Sequence, residues 1–322
     1  MKNLRLFSIL LVFALALLSC KKNEDETNRP SLSGFSINTA IPFMREGGSQ
    51  TFRLDLSGLT TSDKSTPGPL GVAWQMTGST RDTLTRDVKT SNPPYTVTPD
   101  KVGNYTVSCY IFSMDEEYYS TSVATSFSVI DPDTALTGQE VDQLIVIGDK
   151  SYCAFEAGGL TWMGQNLYGT SAGKDYKDCE VVSDVFGRYY TWEEAQTACP
   201  DGWRLPTAQE FDSILGTVAG DLMVDAKFQD TTMWSYWPQV KITNAHKFNA
   251  IPTGYMDLST EDAMFGYMDY ACWWTADEME DEREWGIYRY IYEDEPNILK
   301  GKGSKSSLAL NVRCVKEIET ED

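Results

Sequence analysis

Apolar positions along the chain fall into three regimes. Leu6 to Leu18 is an almost unbroken apolar run behind Lys2 and Arg5. From residue 31 to 131 apolar and polar residues alternate in short runs: Phe52-Arg53-Leu54-Asp55-Leu56, Val72-Ala73-Trp74-Gln75-Met76, Tyr105-Thr106-Val107-Ser108-Cys109-Tyr110-Ile111 and Ser126-Phe127-Ser128-Val129-Ile130. A period of two places one set of side chains on each face of a strand. Gly, Pro, Asp and Ser clusters separate the runs, so this segment is expected to be an all-β sandwich. Asp131-Pro132-Asp133-Thr134-Ala135 through Gly138 breaks the alternation, and residues 132–142 are expected to form a linker.

The third regime, residues 143–318, mixes both periods. Gln143 to Ile147 and Leu160 to Met163 read as strands. Thr191-Trp192-Glu193-Glu194 and Thr207-Ala208-Gln209-Glu210 both fit the capping box, in which Thr caps one backbone amide and Glu reaches back to another. Phe211, Ile214 and Leu215 then share one helical face. After Gly220 the chain is loop-like and aromatic until two strand patterns, Gly286 to Tyr292 and Leu308 to Val315, close it. An α+β domain is expected.

The first apolar run is too short for a membrane span, which needs about 20 residues, and has the form of an export signal. It ends in Leu17-Leu18-Ser19-Cys20, which resembles the lipobox of bacterial lipoproteins. The resemblance implies removal of residues 1–19 and lipidation of Cys20. Lys21 through Pro30 is too polar to order itself and is expected to be a tether. Acidic residues just after Cys20 resemble the surface-export signal of Bacteroidetes lipoproteins. An outer-membrane lipoprotein on the cell surface of such a bacterium is expected, its membrane contact made through the lipid.

Charge and cysteines narrow the partners. The formal net charge is −20, which argues against nucleic acid and anionic membrane surfaces. Nine Trp exclude a disordered acidic chain. Apart from Cys20, the remaining six of the seven cysteines are Cys109, Cys153, Cys179, Cys199, Cys272 and Cys314. None forms a C-x-x-C pair, which argues against zinc, and export permits disulfides. Cys109 is expected to be a buried apolar residue.

Two family resemblances follow from longer motifs. Tyr95 to Val107, with Gly103 before a Tyr-Thr-Val strand and Trp74 on a middle strand, resembles PKD-like and other immunoglobulin-like modules. Across the third regime, Gly159-Leu160-Thr161-Trp162-Met163-Gly164-Gln165-Asn166-Leu167, Phe186 to Ala195, Cys199-Pro200-Asp201-Gly202-Trp203-Arg204-Leu205-Pro206-Thr207, Phe248 to Gly254, Trp273 to Ala276 and Val312 to Lys316 occur in order. Together they resemble the Fibrobacter succinogenes major paralogous domain, and the resemblance implies a C-type-lectin-like fold. It also implies a bond between Cys199 and Cys314, which in the chain-entropy model stabilises by roughly 4–5 kcal/mol. Cys153 with Cys179 is a second candidate pair, and Cys272 is expected to be a buried thiol. The Trp residues inside these motifs are expected to be core rather than ligand platform.

Candidate chemistry is sparse. His246 is the only histidine, with no nucleophile signature beside it, so hydrolase triads and His-clustered metal sites are not expected. Gly301 to Ser307 lacks the spacing of a phosphate loop and reads as a hairpin turn. Formylglycine-generating oxidases have the lectin-like topology, but their reactive Cys pair is missing, which leaves an enzyme as the weakest reading. Asp277, Glu278, Glu280 and Asp281 supply oxygen ligands that could hold Ca²⁺; Glu295-Pro296-Asn297 is similar to a triplet of sugar-binding lectins, though the Trp-Asn-Asp motif is missing. A solvated loop is favoured over a calcium site, and no other cofactor is implied. Asp133-Thr134-Ala135 matches the Bacteroidetes O-glycosylation pattern at Thr134. The expected function is adhesion or binding of a glycan or protein ligand, on Trp234, Tyr236, Trp237, Phe265, Tyr267 and Tyr270. The alternative is an accessory subunit of a surface fibre or envelope complex.

Overall fold

The computed structural model describes residues 29–318, apart from 39–40, 80, 85–86, 116–117, 121, 235–239 and 262. Cys20, the export signal, most of the tether, Tyr236 and Trp237 lie outside the described residues. The chain divides into two compact units, one of residues 1–39, 51–97 and 106–126, the other of 40–50, 98–105 and 127–322.

The first unit is all-β. Strand Leu70–Met76 pairs antiparallel with Gly103–Ser113, Leu70 opposite Ser113 and Met76 opposite Val107. The alternation read from sequence is realised: Val107, Cys109, Ile111 and Ser113 point inward and are buried. Trp74 lies opposite Cys109, is fully buried, and stacks on Tyr95 with ring centroids 5.3 Å apart. Ser36–Asn38, Gln50–Asp55 and Tyr95–Val97 form a second sheet, contributing Phe52 and Leu54 to the buried set.

In the second unit, strand Phe43–Arg45 runs parallel to Ser128–Ile130. The segment expected as a linker is structured. Pro132–Ala135 is a helical turn, capped by the Asp131 carboxylate accepting from the Asp133 amide. Leu136–Thr137 then pairs with Lys227–Phe228. Pro at the first helical position and Asp at the cap are helix-starting signals as much as strand-breaking ones.

A four-stranded antiparallel sheet follows, in the order β1 (Gln143–Ile147), β2 (Lys150–Ala157), β3 (Leu160–Met163) and β10 (Val315–Glu317). Two helices carry the predicted caps. In α1 (Trp192–Ala198) and α2 (Ala208–Leu215), both halves of each capping box are made, by Thr191 with Glu194 and Thr207 with Glu210. Helix α2 buries Phe211 and Leu215 against Trp162, Phe248 and Trp273. A second sheet is formed by β6 (Tyr270–Glu278), β7 (Trp285–Tyr292) and β8 (Leu299–Ser304), and a third by β5 (Ala263–Phe265), β4 (Tyr255–Asp257) and β9 (Leu308–Ala309). The unit is therefore β-rich, with short helices. Among the described residues no helix is long and apolar enough to cross a membrane.

Two features lock this unit together. Cys199, at the C-cap of α1, is bonded to Cys314 across 115 positions, with Cα atoms 5.8 Å apart. Beside it Arg313 is buried without a carboxylate. Its guanidinium donates to Asn166 Oδ1 at 2.7 Å, to the Phe248 carbonyl at 2.7 Å, and to the carbonyls of Met163 and Asn249. It also lies 4.5 Å from the Phe248 ring centroid. Burial holds its pKa down, to about 9, and the ring and carbonyls offset that desolvation.

Cys153 and Cys179 are not joined, contrary to expectation; both are free and buried. Cys153 lies on β2, where its Cβ and carbonyl leave little room for a side chain at Gly164. Cys179 belongs to the core of Tyr176, Val182 and Phe186. Cys109 and Cys272 are also buried thiols. Trp162, Trp273 and Trp274 are core residues.

Candidate functional site

The sequence Gly286-Ile287-Tyr288-Arg289-Tyr290-Ile291-Tyr292 alternates through β7. One face carries Ile287, Arg289 and Ile291. Arg289 is buried and forks onto Asp212 of α2, Nε to Oδ1 at 2.7 Å and Nη2 to Oδ2 at 2.8 Å. Lys300 of β8 adds a third contact to that carboxylate at 2.7 Å. These cations, Arg289 first, hold the Asp212 carboxyl below its usual range. A bidentate pair fixes geometry as well as charge, so β7 is anchored from behind.

The other face carries Tyr288, Tyr290 and Tyr292, all half-buried. Strand pairing extends the row. Tyr292 lies opposite Tyr270 of β6, Tyr290 opposite Cys272 and Tyr288 opposite Trp274. Directly opposed residues of an antiparallel pair share a face. Tyr270 stacks on Tyr292 at 4.6 Å, and Tyr288 meets Tyr290 at 5.6 Å and Trp274 at 5.7 Å. Tyr255 of β4 meets Tyr270 edge-on at 6.0 Å and stacks on Phe265 of β5 at 5.8 Å. The result is a ladder of rings from Tyr288 to Phe265, the latter 43% exposed.

Glycine makes room for it. A Cβ on Gly301 would lie 2.2 Å from Cζ of Tyr288, so that ring lies flat over the backbone of β8. Gly266, at φ +65°, similarly admits the Tyr270 ring.

Hydroxyl bonding separates these tyrosines from those of the core. Tyr189 donates to the Thr253 carbonyl, Tyr152 to that of Tyr168, and Tyr168 to that of Ser151. Tyr190 bonds Thr170. Among the described residues the hydroxyls of Tyr255, Tyr270, Tyr288, Tyr290 and Tyr292 have no partner, and none is a buried unsatisfied atom, so they open to solvent. Burial pushes the phenols of Tyr255, Tyr270, Tyr288 and Tyr290 up. That of Tyr292 is raised first by the Asp294 carboxylate. All are neutral donors and acceptors at ordinary pH. Rings with a polar tip are the side chains that dominate ligand and partner surfaces.

The expected site residues divide. Phe265 and Tyr270 belong to the ladder. Trp234 does not: it is 2% exposed and donates its indole N–H to the Ala250 carbonyl at 3.1 Å, inside the core of Phe211 and Trp273. Tyr267 packs on Tyr176 and Phe186, and lines a cavity of about 250 Å³ with Phe43, Phe228 and Met233.

The candidate calcium ligands are dispersed. Asp277 Oδ2 accepts from the first backbone amide of α2 at 2.6 Å, and Glu278 pairs with Lys305. Glu295 accepts from both the backbone and side-chain nitrogens of Asn297, closing a turn. Among the described residues no three acidic, Cys or His side chains converge as a metal site. Asp277 thus serves as a helix cap, Glu278 as an ion-pair partner and Glu295 as a turn closer. Thr134 is exposed, its hydroxyl donating to Asp131 Oδ2 at 3.0 Å.

Sequence reasoning missed Tyr255, Tyr288, Tyr290 and Tyr292. The signal was available: a period of two across Tyr288-Arg289-Tyr290-Ile291-Tyr292 puts three phenols on one face.

Residues 155–316 match the family described as the Fibrobacter succinogenes major domain. No curated protein matches the chain. Among solved structures, a PKD domain of an M14-like peptidase from a Thermoplasmatales archaeon is 10% identical, covering 32% of this chain and 98% of its own, with TM-score 0.24. The adhesin InvE of Yersinia pseudotuberculosis is 11% identical, covering 89% and 70%, with TM-score 0.25. A CARDB domain of Pyrococcus furiosus, described with two metal ions, is 12% identical, covering 31% and 94%, with TM-score 0.22.

Proposed function

We propose that this chain, which belongs to the Fibrobacter succinogenes major domain family through residues 155–316, is an exported binding protein whose ligand, a glycan or a protein, docks on the tyrosine ladder of its C-terminal domain. Lipid on Cys20 would hold it at the outer membrane, facing outward. The N-terminal unit would act as an immunoglobulin-like spacer, and the C-terminal domain as a C-type-lectin-like head. One observation carries the reading: six contiguous rings, Tyr255, Phe265, Tyr270, Tyr288, Tyr290 and Tyr292, are partly open to solvent, and all five phenol hydroxyls lack a protein partner among the described residues. A pure spacer has no use for such a patch, and grouped apolar surface usually marks an interaction site. Stacking on rings and bonding to free hydroxyls would suit either class of ligand.

Tyr290→Ala tests it against immobilised glycans and peptides. Binding lost at an unchanged melting temperature supports the reading; binding retained in full removes it. Gly301→Ala is a second variant, because the atoms nearest its new Cβ all belong to the ring of Tyr288. It should weaken binding while leaving every side chain of the buried core in place.

A further inference from the structure

Carboxylates gather where the ladder's two stacked rings meet. Asp269 precedes Tyr270; Glu293, Asp294 and Glu295 follow Tyr292. The Glu293 amide donates to the Asp269 carbonyl at 2.9 Å and that of Glu295 to the Tyr292 carbonyl at 3.0 Å, so the two acidic loops are tied to each other and to the ring pair. Other carboxylates of this unit, several of them beside the ladder's strands, do have cations: Asp212 with Arg289 and Lys300, Glu210 with Arg204, Glu278 with Lys305, Glu282 with Lys302 and Glu140 with Lys247. Among the described residues Asp269, Glu293, Asp294 and Glu295 enter no ion pair. One oxygen of Glu293 is buried with no hydrogen-bond donor. A carboxylate oxygen shielded from water and lacking a donor gains from a nearby cation.

Ring faces are negative at their centres, so a ring pair flanked by unpaired carboxylates is a cation acceptor twice over. An anionic glycan would be repelled here. A neutral glycan could donate hydroxyls to the carboxylates but would leave their charge unneutralised, which a cation would not. We infer, building on the binding face proposed above, that its ligand is a protein segment presenting an Arg or Lys side chain to Tyr270, Tyr292 and the Asp269–Asp294 carboxylates, with its less charged residues along Tyr290 and Tyr288. The row favours a peptide with few cations over a repeating polycation, because the Tyr288 end is bordered by Gly301 and Trp274 rather than by acids.

The test uses the full chain and a labelled peptide of Gly and Tyr carrying a single Arg, beside the same peptide with citrulline for that Arg, read by fluorescence anisotropy. Citrulline keeps the shape and removes the charge. The Arg peptide should bind at least about tenfold tighter, and its affinity should fall as salt rises. Asp269→Asn with Asp294→Asn should weaken it several-fold. Tyr290→Ala, which leaves the net charge alone, should weaken it too, whereas Asp149→Asn with Asp201→Asn should not. Equal binding of the citrulline peptide, or no binding of the Arg peptide, overturns the inference. Tyr290-dependent capture of a neutral or amino-sugar glycan without the Arg peptide would keep the face and exclude the cationic segment. Absence of any Tyr290-dependent binding would remove both.

Discussion

Replacing Cys199 and Cys314 together by Ala should destabilise the C-terminal unit by about 5 kcal/mol. The bond joins positions 115 apart, and the chain-entropy relation gives a loss near 16 cal/mol/K for a loop of that size, or about 5 kcal/mol at room temperature. Much of the unit lies between those residues, including α2 and the ladder. Without the bond the unfolded chain regains that freedom, while Cys314 leaves only a thiol-sized gap in the core. At roughly 2–4 °C per kcal/mol for a domain of this size, the melting temperature should drop by about 10–20 °C. Tryptophan fluorescence during urea unfolding reports this unit, because Trp162, Trp273 and Trp274 all lie in it and are buried. A loss below about 1 kcal/mol would refute the loop-entropy account, and free thiols at either position on peptide mapping would refute the bond.

Three further outcomes follow. In a Cys20→Ala chain, native protein should show no thiol reactive toward a disulfide reagent near pH 8, and unfolded protein four: Cys109, Cys153, Cys179 and Cys272; only two would restore a Cys153–Cys179 bond. Burial raises the phenols of Tyr168, Tyr176, Tyr190 and Tyr267 to about 12, against about 10 unfolded. The folded state therefore keeps protons that the unfolded state releases, and this stabilisation, complete below pH about 10, should be lost as pH rises through about 12. Urea midpoints that stay level across that window would contradict it. Cys20→Ala should also move the protein out of the membrane fraction, since no acyl chain remains to be buried; retention after a high-salt wash would contradict lipid anchoring.

The local signals in the sequence reached different depths of the structure. Capping boxes at Thr191 and Thr207 are short-range hydrogen-bond devices, so four residues suffice to announce them. The alternation around Val107 and Cys109 announced a strand for the same reason. Trp234 was misplaced because aromatic density in a loop-like stretch does not say whether a ring turns inward. Its indole reaches the Ala250 carbonyl, a tertiary fact. The ladder was only half legible. Phe265 and Tyr270 were named from sequence, whereas Tyr288, Tyr290 and Tyr292 were missed although a period of two groups them; what joins the two sets is the register of β6, β4 and β5, which no local pattern fixes. The acidic stretch at Asp277 left a solvated loop and a calcium site as alternatives, the loop favoured, because composition cannot reveal that Asp277 caps α2 and Glu278 pairs with Lys305.

The stacked pair at the centre of the ladder offers the most direct test. Tyr270→Ala with Tyr292→Ala removes two half-buried rings 4.6 Å apart, and leaves Arg313, the disulfide and the Trp162–Trp273 core in place. Binding to immobilised glycans and peptides, measured beside a thermal melt, should be abolished while the melting temperature falls by only a few degrees. Full binding by the double variant would contradict the ladder as the ligand face. So would a loss of about 3–5 kcal/mol of stability, the cost of deleting a core aromatic.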